Sequence, residues 1–367
     1  MADTAITRRT LVPVPFGARV GTSSGAAAHR PAPAGTGSGP LGTGSGALGT
    51  GSGALGTGSG ALGTKSVGLG YHPDLPDFRD RAFGGIDFVK TAAGKLLQAT
   101  AQSTGKQSHL LDSTQPLPAR VHLGDASPMP PIEDQGQMQS CTANAAVGMA
   151  EYLILRSGED QLDLSRMFLY KVTRRLLGWT GDTGAYIRTT LKSMVLFGVP
   201  PESDWPYDAQ LVDIEPEAFH YAYAENFKAM SYARLDGSGA LAPGFSTRGE
   251  QTLDTLKRTL ADGFPAAFGF PVYRSIGSMG SNFVIPLPIP GTDVLIGGHA
   301  VLAVGYDDSI PCAQQTSPGA LIIRNSWGET WGDHGYAYLP YDYVRRELAL
   351  DFWTIFKETF VQLGLFN

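Results

Sequence analysis

Apolar residues in the middle of the chain recur with the spacing of an α-helix. From Ala143 to Ile154 they are separated by four, three and four positions, which places them on one helix face. Ser140 before this stretch is a suitable helix cap, and Gly158 after it is a stop signal. The sequence therefore predicts a helix between these two residues. The same reasoning predicts further helices over 165–177, 185–197 and 250–262.

The pattern changes after Gly263. Short apolar or alternating runs then follow one another between glycine, proline and aspartate residues, which is typical of β-strands. These runs are 266–270, 300–306, 320–324, 335–339 and 352–356. We therefore expect an α+β fold, in which a helical lobe precedes a sheet lobe.

The N-terminal part is predicted to lie outside the folded domain. Residues 1–70 are rich in Gly, Ser, Thr and Ala and repeat every seven positions from Gly35 onward, a composition that disfavours a helix. We interpret this part as a disordered tail, either a passive linker or a spacer that docks the protein to an unknown partner. Residues 71–114 are expected to form an extended arm, and residues 115–367 the folded domain.

Composition narrows the class of protein. The 367 residues are 42% hydrophobic with a formal net charge of −6 and no basic stretch, so we expect no nucleic-acid partner. No membrane span or secretory signal is recognisable, which predicts a cytoplasmic protein or one exported without a cleavable signal peptide. No metal-ligand cluster or phosphate-binding loop is found, so neither a metal nor another cofactor is expected. A monomer is expected.

Cys141 is the candidate nucleophile. It is predicted on the first turn of the helix, where the macrodipole and unpaired amides favour a thiolate. Gln135 precedes it by six residues across a loop that contains Gly136. Its side-chain amide and the backbone N–H of Cys141 can converge on one oxygen, as an oxyanion hole requires.

Three segments resemble the papain-like cysteine peptidases, in particular bacterial members with a Ser-Cys-Thr-Ala-Asn-Ala helix. They are the cysteine loop at 135–145, the histidine strand at 297–306 and the asparagine segment at 324–336, and they follow the chain order of that family. The resemblance covers about residues 115 to 367. It implies a two-lobed fold with a helical lobe, an antiparallel sheet or barrel lobe, and the active site in the cleft.

The resemblance also implies the chemistry. Cys141, His299 and Asn325 match a catalytic triad that hydrolyses peptide bonds in a protein or peptide substrate through an acyl-thioester. Two alternatives remain open from the sequence. One is an acyl- or peptidyl-transferase that uses the same triad, and the other is a non-enzymatic binding module on a peptidase scaffold.

Further residues are assigned from their positions in these segments. Gly184 matches the glycine whose backbone pairs with the substrate, and Gly298 is expected to let a substrate backbone approach. Trp327 and Trp331 are expected to shield the histidine–asparagine bond from water. As a hypothesis, residues 71–110 cover the cleft as an inhibitory prosegment; alternatively they form an arm packed elsewhere on the domain.

Overall fold

The computed structural model describes residues 58–62, 65–75, 77, 80, 94–95, 98, 108–229, 231–237, 245–313, 315 and 317–356. The chain forms two units, 1–52 and 53–367, and the first lies outside the described residues. The predicted tail up to residue 57 is therefore not described, and neither is most of the arm between residues 81 and 107.

Helices dominate the first half of the domain. They are α1 (Cys141–Arg156), α2 (Arg166–Leu177), α3 (Ile187–Phe197) and α4 (Ala218–Ala224), while α5 (Phe245–Ala261) and α6 (Asp342–Arg345) follow in the second half. α1 is buried on every side from Cys141 to Ile154, and not on a single face, because its small residues allow close packing all round. Ser140 stands at its N-cap position but does not cap it. Its hydroxyl pairs instead with Tyr207 and Asn144.

The other lobe is an antiparallel sheet, built mostly from the second half of the chain, as the strand pattern predicted. Its strands are β4 (Arg120–His122), β6 (Ser231–Arg234), β7 (Ala266–Tyr273), β8 (Leu295–Asp307), β9 (Ala320–Arg324), β10 (Tyr336–Pro340) and β11 (Leu350–Phe356). The order is β10-β9-β8-β7-β11-β6, and β4 pairs with β8. Among the described residues this sheet is open, so the closed barrel that we considered is not formed.

β8 is the strand on which the two lobes meet. Almost all of its residues are buried, and α1 packs directly against it and against β7. The first residue of α1 and the histidine of β8 are thereby brought to the same seam. The core is continuous across both lobes.

The stretch before residue 75 is also structured. β1 (Gly58–Leu62) and β2 (Lys65–Leu69) form an antiparallel hairpin, and β3 (Tyr71–His72) pairs in parallel with β5 (Ala185–Tyr186). Val67, Leu69 and Tyr71 are buried. Strands thus begin inside the segment predicted as a disordered tail, while the domain boundaries stay a prediction. Over the part of the chain that is described, no helix has the length and apolar character to cross a membrane.

Candidate active site

His299 and Asn325 form a buried pair. His299 Nε2 lies 2.8 Å from Asn325 Oδ1, which also accepts the backbone N–H of Ser326 at 2.8 Å. Because this oxygen accepts both bonds, Nε2 must carry the ring proton of neutral His299. The other ring nitrogen, Nδ1, has no hydrogen-bond partner among the described residues. It is the nitrogen available to take a proton.

Tryptophan side chains cover this pair. The Trp327 ring stacks on the His299 ring with centroids 4.4 Å apart and planes 24° apart, and Trp331 meets Trp327 edge to face at 5.3 Å. Trp327 is 1% exposed, whereas Trp331 is only partly buried. The stacking fixes the plane of the imidazole and keeps water from its face.

Cys141 begins α1 at the seam of the lobes. Backbone amides of Ala300, of Gly70 and of the first turn of α1 face its sulfur. Ala300 is the residue after His299, so the backbone of the histidine strand reaches the thiol from a distant part of the chain. Gly70 belongs to the N-terminal stretch, which therefore reaches the thiol itself.

Burial favours the neutral form of both the Cys141 thiol and the His299 imidazole. Cys141 and His299 are each 0% exposed. Burial raises the pKa of the Cys141 thiol to about 11 and lowers the pKa of His299 to about 4, although the bond to Asn325 opposes the second shift. The helix position of Cys141 is as predicted, but desolvation outweighs the helix dipole here.

Gln135 is held with its amide towards the N-terminal stretch. Its Oε1 accepts the Ser326 hydroxyl at 2.6 Å, while Nε2 donates to the carbonyls of Met138 at 2.8 Å and of Gly68 at 3.1 Å. A carbonyl of the chain itself thus occupies the donor predicted for the oxyanion. Ser326, which orients this amide, was not singled out from the sequence; its place next to Asn325 was the available signal.

Residues 67–74 fill the cleft, and we call them the strap. The N–H of Ala185 donates to Gly70 O at 2.8 Å, beside Gly184, which has φ +78°. A Cβ on Gly298 would come 2.6 Å from the carbonyl oxygen of Tyr71. Both predicted substrate-binding glycines therefore touch the strap. The hypothesis placed the covering segment at 71–110, but Gly70 at the thiol and Gly68 at Gln135 both precede residue 71.

This geometry defines a class: a two-lobed α+β protein with a buried thiol at the start of a helix and a His–Asn pair whose histidine lies on the strand that packs against that helix. The family model described as papain family cysteine protease matches residues 117–347 of this chain. The chain therefore belongs to the papain family of cysteine proteases and is a cysteine-type peptidase, which confirms the resemblance of the three segments.

Relatives extend over most of this domain. An uncharacterized peptidase C1-like protein of Acanthamoeba polyphaga mimivirus is 36% identical over 230 residues, covering 62% of this chain and 70% of that protein. A cathepsin L-like proteinase of Fasciola hepatica is 25% identical over 220 residues, covering 60% of this chain and 59% of that protein. The crystal structure of xylellain, a cysteine protease from Xylella fastidiosa, is 32% identical with a TM-score of 0.58, covering 80% of this chain and 97% of xylellain.

Proposed function

We propose that the protein hydrolyses peptide bonds of protein or peptide substrates with Cys141 as nucleophile, through an acyl-thioester. The observation that carries this proposal is the His299–Asn325 pair, whose unpaired Nδ1 lies on the strand that faces the sulfur. No cofactor is needed for this chemistry.

Each residue has a distinct role in the proposed reaction. Nδ1 of His299 takes the thiol proton, and the sulfur of Cys141 attacks the scissile carbonyl carbon. The imidazolium then gives its proton to the leaving amine as the carbon–nitrogen bond breaks. Water, deprotonated by the same nitrogen, hydrolyses the thioester and frees the acid. Asn325 holds the ring, and Gln135 with the backbone N–H of Cys141 stabilises the oxyanion.

We further propose that the strap keeps the full chain latent. It excludes water from Cys141 and occupies the Gln135 amide with Gly68 O. The carbonyl at Gln135 belongs to Gly68, whereas the backbone at the sulfur belongs to Gly70, two residues later. A scissile carbonyl would have to lie at both Gln135 and the Cys141 sulfur, and the strap does not place one carbonyl at both. The strap is therefore bound as an inhibitor and not as a substrate.

Cleavage of internally quenched peptides tests the hydrolytic role, with the full chain carrying Tyr71→Ala as the reference, because loss of this buried strap side chain loosens the latent cleft. Cys141→Ala is expected to abolish turnover and Cys312→Ala to leave it unchanged, since Cys312 lies in the loop after β8. Turnover retained in Cys141→Ala would refute the proposal. Product masses with and without an added amine separate hydrolysis from acyl transfer. Several expectations from the sequence stay predictions. They are a monomeric state, the absence of nucleic-acid and membrane partners, the cellular location and a docking partner for the tail.

A further inference from the structure

Two backbone segments form the walls of the cleft where it passes the thiol. One wall is the loop 135–139 that leads to Cys141, and the other is the segment at Gly184. A Cβ on Gly70 of the strap would overlap the carbonyl of Gln139, and a Cβ on Gly184 would overlap the carbonyl of Gly70. The strap backbone thus fits tightly between the two walls. A small change in their spacing therefore alters how a peptide lies against the sulfur.

Side-chain packing alone does not hold the first wall. A cavity of about 510 Å³ adjoins the loop 135–139 on the side of Tyr207 and Ala209, so this side of the loop lacks packed neighbours. No disulfide fixes the loop either, because the two cysteines of the chain are both free. Hydrogen bonds to the loop must therefore set its position.

Asp182 makes such bonds to the loop. The backbone N–H of Gln139 donates to both carboxylate oxygens of Asp182, at 2.9 Å to Oδ1 and at 3.1 Å to Oδ2. The side-chain amide of Gln139 donates to the backbone carbonyl of Asp182 as well. Gln139 stands two residues before Cys141, so Asp182 holds the backbone that leads directly into the nucleophile.

Tyr170 joins the same carboxylate to the second wall. Its hydroxyl donates to Asp182 Oδ1 at 2.6 Å and accepts the backbone N–H of Gly184 at 2.9 Å. Burial and the charge of Asp182 raise the pKa of this hydroxyl, which therefore stays a proton donor. One hydrogen-bonded pair, Asp182 with Tyr170, thus connects the amide of Gln139 to the amide of Gly184.

We propose that Asp182 is a positioning residue that, through Tyr170, sets the spacing of the two cleft walls during catalysis; the inference rests on the proposed peptidase function. Asp182 acts through the backbone of Gln139 and Gly184. The loop next to Asp182 also carries the proposed oxyanion donors, the Gln135 amide and the N–H of Cys141. Because such donors bind the tetrahedral state more strongly than the ground state, a displaced loop should weaken tetrahedral binding most.

The test compares a peptide aldehyde with the peptide alcohol of the same sequence as inhibitors of peptide cleavage. The sulfur of Cys141 adds to the aldehyde carbon and the thiol proton moves to the aldehyde oxygen, which gives a neutral tetrahedral hemithioacetal. The alcohol binds without a covalent bond. The reference is the full chain with Tyr71→Ala, in which the remaining strap competes with both inhibitors alike. The ratio of the two inhibition constants is therefore independent of the strap and of the amount of folded enzyme.

Two substitutions in this background remove the link between the walls. Asp182→Asn keeps the shape of the side chain but turns an amide N–H₂ group towards a donor. It should reduce the preference for the aldehyde about 10-fold, the value of a hydrogen bond to a charged group. Tyr170→Phe keeps the buried ring and should act in the same direction. The double variant should lose no more than Asp182→Asn alone, because the two side chains act as one unit.

Asp213→Asn is the matched control. Both carboxylate oxygens of Asp213 accept the N–H of Gly181 at 2.9 Å, so this residue also holds the segment 181–184. Its bonds run to Gly181 and Arg174 and not to the loop 135–139. The ratio of inhibition constants in this variant should therefore match that of the reference chain. Thermal melting checks that each variant is folded.

The outcomes separate this inference from the proposed function. An unchanged ratio in Asp182→Asn, or an equal loss in Asp213→Asn, overturns the inference and leaves the peptidase function standing. Losses from Asp182→Asn and Tyr170→Phe that simply add in the double variant overturn the joint role of the pair. If the Tyr71→Ala chain cleaves no peptide, the proposed function fails and this inference falls with it.

Discussion

Loss of the Tyr71 hydroxyl should open the cleft of the full chain. Tyr71→Phe removes one hydrogen bond to the buried carboxylate of Asp351, an interaction that contributes about 1.5–3 kcal/mol. The lower end applies, because Asp351 Oδ2 still accepts the N–H of Asp74. We therefore expect the fraction of molecules with an open strap to rise about 10-fold.

Removal of the whole ring should have a larger effect. Truncation of a buried aromatic side chain costs about 3–5 kcal/mol, and Tyr71 is 4% exposed. Tyr71→Ala should therefore raise the open fraction about 10²- to nearly 10⁴-fold, up to the point at which most molecules are open.

The rate at which iodoacetamide alkylates Cys141 measures this fraction, because a thiol that is 0% exposed reacts only when the strap opens. Site-resolved mass spectrometry separates its signal from that of Cys312. Tyr306→Phe is a matched control, since its buried hydroxyl also loses a 2.8 Å bond, to Pro118 O, without contacting the strap. If both Tyr71 variants are alkylated at the wild-type rate, the strap does not restrain the cleft as argued.

Three more predictions concern other contacts of the site. Burial and the Asp351 charge raise the pKa of Asp74 from 3.8 to about 7, so strap docking is most stable below the free value and weakens as pH rises through about 7. As the pH rises through about 7, the rate of Cys141 alkylation should therefore increase by more than ionisation of the thiol alone explains. Asn325→Ala should lower kcat about 10²-fold, because the imidazole loses its orientation. Gln135→Ala should lower kcat about 10²- to 10³-fold yet speed alkylation, because the strap loses its Gly68 contact.

Each of these predictions has its own control. Asp74→Asn mimics the protonated acid beside Trp353, Arg188 and Arg234. In this variant the rate of Cys141 alkylation should follow thiol ionisation alone. The same pH profile in the variant and in the wild-type chain would contradict the Asp74 argument. Asn325→Gln keeps the amide but displaces it, so full activity there would question the geometric role. Slower alkylation in Gln135→Ala would mean that Gly68 O does not help to hold the strap.

The α+β order of the chain and the pairing of His299 with Asn325 follow from periodicity and from the three family segments. The strap does not. Gly68 and Gly70 made its stretch look like a flexible linker, yet a Cβ at either position would overlap the carbonyl of Met138 or Gln139. The same glycines thus permit both freedom and close docking, and sequence composition alone does not distinguish the two.

The Tyr71–Asp351 bond was equally hidden. The two residues are 280 positions apart, and Asp351 stands in an apolar strand without any motif around it. The antiparallel pairing of β11 with β7, which brings Leu350 opposite Gly269, places the carboxylate beside the Tyr71 hydroxyl. Long-range register of this kind cannot be predicted from local patterns.

Burial of Cys141 as a neutral thiol has a consequence for its chemical durability. Peroxide oxidises thiolates that solvent can reach, and sulfinic acid formation at such a sulfur is irreversible in most proteins. With a pKa of about 11 and no exposed surface, Cys141 meets neither condition. The closed chain is therefore expected to survive oxidative stress with its sulfur reduced, whereas an opened enzyme under the same conditions would be inactivated.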